Sequence, residues 1–518
     1  MTDGDGSGTT FTISGGVGSI QYVMGEISEA GVKLARLAQQ LAPLVDRLRS
    51  EWQWLGGAAQ GLPGSYQALD AMRAAVWSAM HAQGDAADLG AEAANASRNY
   101  DDAEARNASL AAQLARMGAL GAGFQVWASG PLAPLVFWSE VVAGGHDARR
   151  HGLRDAAESG LNNGPAFLAG LLGPGTALAY LLTHLGAPDA ANAGVGPALV
   201  MRKFLDASGM SRPGHLEMRR VPAVDWDDRA EQWSPGHAVP DPTGGVPGSV
   251  DSTISGVLAG SRDAYGYPPG SIGVSLVERP DGSHAWIVNL PGTEDWSVVD
   301  SDNNWDLEGD MEAMTAAQAG AFAQRNIIIQ DLIKGALRDA GALPTDEVMI
   351  TGHSGGGIHA AAAAADPAFL AEVNVTMIII AGAPNKNQHI APGIDVLDME
   401  NTNDIATAAD YGPAPASSTW VAVTSHRPGD SNRLNPIKAA GGAHDLDNYL
   451  EDAAELDRSN DPAIRGSRDA VNKFLAPAVA GGPVTVKKFV YQGHDVNDPV
   501  PARRKLAPPS GKEVHGAR

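Results

Sequence analysis
The sequence predicts an α/β protein: a mostly parallel sheet with helices on both faces, preceded by an α-helical N-terminal domain. Three observations carry this. In the second half of the 518 residues, short apolar runs rich in Val and Ile alternate with helix-period segments. One such run, Val348-Met-Ile-Thr351, passes through a Gly-rich turn straight into the Ala-rich stretch 358–365. The first hundred residues instead repeat apolar positions every three or four residues, as a helix does.

Composition narrows the function classes. A chain of this length is expected to hold two to four domains, and with 44% apolar residues it can bury a sizeable core. A formal net charge of −23 argues against nucleic-acid binding and for solubility. No cysteine is present, which excludes disulfides, thiolate metal sites and a Cys nucleophile. The start, Met1 to Gly16, is polar and Gly/Thr-rich, without the basic start and apolar run of a signal peptide, so any export is expected to use another route.

Residues 1–118 read as a helical hairpin domain. Ile27, Leu34, Leu37, Leu41, Leu44 and Leu48 form an amphipathic stripe, in which Pro43 is expected to kink or break the helix. Trp54-Leu55-Gly56 and Gly61-Leu-Pro-Gly64 mark a turn. A second helical pattern runs through Leu69, Met72, Val76 and Met80 towards Leu110 and Leu114. Trp54-Leu-Gly56 in the turn, followed by Tyr100-Asp-Asp-Ala-Glu104, resembles the small hairpin proteins exported by type VII secretion, over about a fifth of the chain. That resemblance implies secretion or surface display by a non-classical route, with the secretion machinery or a helical-hairpin protein as partner. The alternative is a cytoplasmic protein in which Trp54 is a core anchor.

Residues 119–204 read as apolar helical segments, a lid or packing region. Met117–Ser139 and Pro165–Leu185 carry no charge, yet Gly and Pro interrupt both, so no stable membrane span is expected. Residues 205–254 read as an irregular linker, with six prolines between Ser211 and Val250. Residues 255–495 form the α/β domain, and 496–518 a Pro-containing basic tail expected to be disordered.

Within the α/β domain, Ser271–Glu278 and His284–Leu290 are strand-like around the turn Arg279-Pro-Asp-Gly282 and predict a hairpin. Thr315–Ala340, with Phe322, Ile329, Ile333 and Leu337 on one side, predicts a helix ending at Gly341. Glu347–Thr351, Asn374–Ile380, Ile394–Met399 and Thr419–Thr424 predict strands, and Val484–Tyr491 an edge strand.

Gly352-His-Ser-Gly-Gly356 between strand and helix has the G-x-S-x-G form that exposes a strained serine at a strand's carboxyl end. Serine chemistry also needs a base in reach, a carboxylate to orient it, and donors for an oxyanion. Asp404, in the loop after the 394–399 strand, is the expected acid, ahead of Asp410, while Asp398 lies inside the strand. His444, in Gly441-Gly-Ala-His444 before a helix, is the expected base. His426 is second and His494, in the tail, third. His353 is expected to point away from the scissile bond, His359 to pack, and His389 stands in the wrong order. Oxyanion donors are expected from the amide of Gly355 and from Thr293, its amide and its hydroxyl both being candidates.

This ordered set, strand-Gly-Thr, Gly-His-Ser-Gly-Gly, Asn-x-x-Asp and Gly-Gly-x-His, resembles the α/β-hydrolase superfamily over roughly residues 255–490. It is similar to the lipase-like branch, although Pro291 stands where that branch carries an Arg. The resemblance implies a serine hydrolase acting on carboxylic, lipid or acyl esters, with Ser354, His444 and Asp404 as a triad and no cofactor. An acyltransferase, or a secreted interaction protein on the same scaffold, are the other readings. No H-E-x-x-H occurs, and Asp300-Ser-Asp302 with Asn303, Asn304 and Asp306 reads as a solvated turn in preference to a Ca²⁺ loop, so no metal is expected.

Overall fold
Long apolar runs need cover on both sides, and the fold supplies it. The computed structural model describes residues 2–4, 9–16, 20–59, 65–130, 152–184, 214–223, 226, 245–295, 303–315, 327–386, 388–409, 419–426 and 442–497. In chain order the elements are β1 (Thr2–Gly4), β2 (Thr10–Gly15), α1 (Ile20–Ala58), α2 (Ser65–Ala128), α3 (Leu153–Leu171), α4 (Pro174–His184), β3 (Gly214–Arg220), β4 (Val246–Asp251) and α5 (Ile254–Ala264). Then come β5 (Ser271–Glu278), β6 (His284–Leu290), α6 (Leu307–Thr315), α7 (Ile328–Ala340), β7 (Glu347–His353), α8 (Gly355–Ala365) and α9 (Pro367–Leu370). The last are β8 (Asn374–Ala381), β9 (Asp395–Asn401), β10 (Trp420–His426), α10 (Leu446–Leu456), α11 (Pro462–Leu475) and β11 (Pro483–Asn497).

The strands form one sheet in the order β1-β2-β10-β9-β8-β7-β6-β5-β11-β3, with β4 also paired to β11. Its centre, β6 to β10, is parallel, and antiparallel strands flank it on either side. Side chains alternate cleanly across it. Trp286, Val288, Val348, Ile350, Ile378 and Val396 join one core with α7 and α8. Ile287, Met349, Met377, Ile379, Leu397 and Val423 join the other with α5, α10 and α11. With helices over both faces, β7 and β8 are buried nearly throughout, as central parallel strands are.

Several expectations change. The amino-terminal residues placed with the helical domain instead supply β2, which pairs antiparallel with β10 from Gly15↔Val421 to Thr10↔His426. Phe11 and Ile13 alternate towards the core, a short pattern hidden among Gly and Thr. The stretch expected as a linker contains β3 and β4, both antiparallel to β11. That makes β11 internal: β5 lies along one side, and β4 then β3 along the other. The helix expected over 315–340 is described only as α7, and Thr315 ends a separate helix, α6. Phe322 lies outside the described residues.

α1 runs through Pro43 without ending there, and α2 continues through Tyr100 to Ala128, so Tyr100–Glu104 lies within a helix and not beyond its end. Trp54 is 68% exposed and is no core anchor. Among the described residues no helix is long and apolar enough to cross a membrane. Val496 and Asn497, expected to begin the basic tail, instead end β11, while residues 498–518 and residues 131–139 of the first uncharged stretch lie outside the described residues.

Candidate active site
The site begins with two crossing backbones. β7 turns into α8 at Ser354, and a Cβ on Gly352 would run into the Gly356 carbonyl. The close passage leaves Ser354 with φ 52° and ψ −123°, one of two non-glycine residues at positive φ among the described residues. Such a conformation costs on the order of 1–3 kcal/mol and persists only where its surroundings enforce it. Here Ser354 N–H donates to the Ala381 carbonyl at 2.9 Å, and Gly357 and Ile358 N–H return to the Ser354 carbonyl.

From Ser354 a chain of hydrogen bonds crosses three elements. Ser354 Oγ lies 2.9 Å from His444 Nε2. His444 Nδ1 lies 2.9 Å and 3.0 Å from the two Asp404 oxygens. A carboxylate only accepts, so Nδ1 carries the proton and Nε2 is left to accept from the serine hydroxyl. Asp404 is fully buried, in the turn that follows β9. It is held by Ala406 N–H at 2.9 Å and by the Tyr449 hydroxyl at 2.6 Å. Burial, then the charge of Asp404, pushes the Tyr449 phenol far above its usual range, so it stays a donor.

The residue before the serine has a use the sequence did not suggest. The His353 ring packs 4.9 Å from that of His444. Burial, reinforced by His444, lowers its pKa to about 3, so the ring is neutral and has one N–H. Its Nε2 lies 2.8 Å from the His444 carbonyl, which can only accept, so Nε2 is the donor. Nδ1 then accepts from the Tyr265 hydroxyl at 2.7 Å. Tyr265, kept protonated by burial, also lies against the Gly292 backbone. His353 and Tyr265 thus tie the elbow to the His444 loop and to the turn after β6.

That turn is Pro291-Gly292-Thr293, and it lies beside the amino end of α8. A Cβ on Gly355 would stand 2.7 Å from Thr293 Oγ1 and 2.6 Å from Asp310 Oδ1. The Thr293 hydroxyl donates to buried Asp310 Oδ2 at 2.5 Å, so of its two expected donors only the amide is left for a ligand. The Gly355 amide opens α8, where an N–H has no intrahelical acceptor and the helix dipole favours negative charge. Asp310 came with no sequence signal, being one of several acidic residues around α6. His359 lies 3.4 Å from Asp310 Oδ1 and edge-on to Trp305; it packs, as expected, but with a carboxylate beside it.

The other candidates stand apart. Asp398 is buried in β9 against Asn385 Nδ2. His426 ends β10 beside Thr12 Oγ1 at 3.0 Å. His494 belongs to β11, opposite Glu217, and not to a tail. His389 is exposed, and Asp410, Asp300 and Asp302 lie outside the described residues. Asn304 and Asp306, expected in a solvated turn, are buried: Asp306 Oδ1 accepts from Gly309 N–H, and an isolated bridge joins Asp306 to Asp295. Among the described residues no group of three or more His, Asp or Glu side chains is placed to hold a metal ion.

No protein-family profile matches this sequence, and comparison with curated proteins and with solved structures gives no match either.

Proposed function
We propose that the protein is a serine hydrolase that cleaves carboxylic esters, lipid or acyl esters among them, through an acyl-enzyme, on an α/β-hydrolase-like scaffold. The observation that carries the reading is the continuous relay Ser354–His444–Asp404, on a serine held at positive φ. In this reading Ser354 Oγ attacks the ester carbon as its proton passes to His444 Nε2, and Asp404 stabilises the imidazolium. The oxyanion is met by the amides of Gly355 and Thr293. Collapse breaks the ester C–O bond, and the proton on Nε2 leaves with the alcohol. Water then attacks the acyl carbon, gives its proton to Nε2, and Ser354 departs with that proton as the acid is released.

The proposal extends to export. Of the two motifs behind the type VII resemblance, Trp54 is exposed near the end of α1, where a secretion partner can read it, whereas Tyr100–Glu104 lies within α2.

A fluorophosphonate probe on the purified protein tests the chemistry. The wild type is expected to label, and Ser354→Ala and His444→Ala to stay unlabelled. p-Nitrophenyl esters of rising chain length then define the acyl preference. A folded wild type that neither labels nor turns over any ester overturns the reading.

A further inference from the structure
The start of α3 is built into the loop that carries Asp404. Gly152, at φ 102°, has no room for a Cβ against Thr402. Arg154 N–H donates to the Thr402 carbonyl at 2.9 Å, and Leu153 N–H to Asn403 Oδ1 at 3.3 Å. The Arg154 side chain is more than nine-tenths buried. Its Nε donates to Thr407 Oγ1 at 3.0 Å, and that hydroxyl donates to the Asp404 carbonyl at 3.0 Å. One guanidinium nitrogen reaches Glu400 Oε1 at 3.2 Å, while another faces Asp155 and Glu158 of its own helix at 3.4 and 3.6 Å. Glu400, itself buried at the end of β9, also pairs with Lys386 Nζ at 2.6 Å. A planar fork is what lets one side chain hold both Thr407 and Glu400.

We propose that Arg154 is a positioning residue for Asp404, and that α3 is part of the active-site structure and not a separable appendage. The inference rests on the reading of Asp404 as the triad acid. Arg154 clamps the segment 400–407 from outside, at a carboxylate before Asp404 and a hydroxyl after it, so the Asp404 backbone is fixed on both sides. Lys386 keeps Glu400 paired when Arg154 is removed, so the variant is expected to fold. The acid loop then loosens while the serine and histidine stay in place.

Three variants test this: Arg154→Met, Arg154→Lys and Thr407→Val. On a short p-nitrophenyl ester, Arg154→Met is expected to lower kcat about tenfold with KM within twofold, since geometry at the acid is lost and substrate contacts are not. Arg154→Lys, which restores the charge without the fork, recovers part of the loss. Thr407→Val, which leaves the Arg154–Glu400 pair intact, still lowers kcat severalfold. In an Asp404→Ala background Arg154→Met causes no further loss. An unchanged kcat in Arg154→Met, or the same tenfold loss with Asp404 already absent, overturns the proposal. Amide hydrogen exchange over residues 400–409 reads the clamp without activity, and is expected to accelerate in Arg154→Met. Unchanged exchange overturns the clamp. A wild type inert to ester and probe, with accelerated exchange in the variant, sinks the hydrolase reading and leaves the clamp standing.

Discussion
Single residues around the relay have separable jobs. Tyr449→Phe removes the 2.6 Å bond to Asp404 and leaves a fully buried carboxylate one donor short. The expected cost is about 1–3 kcal/mol in urea unfolding, with a severalfold fall in kcat. Asp404→Asn frees the tautomer of His444 and is expected to lower kcat about 10⁴-fold with little change in KM. Thr293→Val strands Asp310 Oδ2 in a buried site, whereas Thr293→Ser keeps the bond, so only the valine variant is expected to lose stability and kcat. His353 sets a pH dependence. Its folded pKa of about 3 lies below the usual value near 6.5, so the unfolded chain binds the proton more readily. The stability it contributes is complete above about pH 6.5 and is lost as pH falls from there towards 3. His353→Asn is expected to flatten that slope by up to about 1.4 kcal/mol per pH unit, read from urea melts at pH 7 and pH 5.

Elements differ in how tightly their glycines are held. In the elbow, a methyl at Gly352 meets backbone, the Gly356 carbonyl, which has nowhere to go. Gly352→Ala is expected to cost more than about 2 kcal/mol and to abolish probe labelling, because the turn that presents the buried Ser354 to His444 has to open. At Gly84 of α2 an added methyl would meet nothing within 4 Å. Gly84→Ala is therefore expected to stabilise by up to about 1 kcal/mol through helix propensity, seen as a raised Tm with activity unchanged. The elbow was legible in the sequence because strand, Gly-rich turn and helix are contiguous there, and β5 and β6 because their turn lies between them. The depth of β11 was not legible, since Val484–Tyr491 looks the same whether one neighbour pairs with it or three do.

Across the whole molecule, the ends of the described chain close the sheet. β2, from the first residues, covers the open side of β10, and β11 joins β5 to β3 and β4. Removing residues 1–16 is expected to uncover β10 as an edge, lowering Tm and raising aggregation in light scattering. If those residues were only a leader to the helical domain, both readouts would stay as in the full chain.

The α/β class, the mostly parallel sheet and the elbow could be read from the residues alone, because each leaves its pattern in neighbours along the chain. The sequence also ordered Ser354, Asp404 and His444, the residues the fold then brings within hydrogen-bond distance. Long-range packing was needed to see that β2 belongs to the sheet, that Tyr449 bonds Asp404 and Arg154 bonds Thr407, and that Asp310 occupies the Thr293 hydroxyl. These contacts join residues far apart in the chain, and their partners are common polar types. Periodicity marks which side of an element is apolar, but not which distant side chain a hydroxyl or a guanidinium meets.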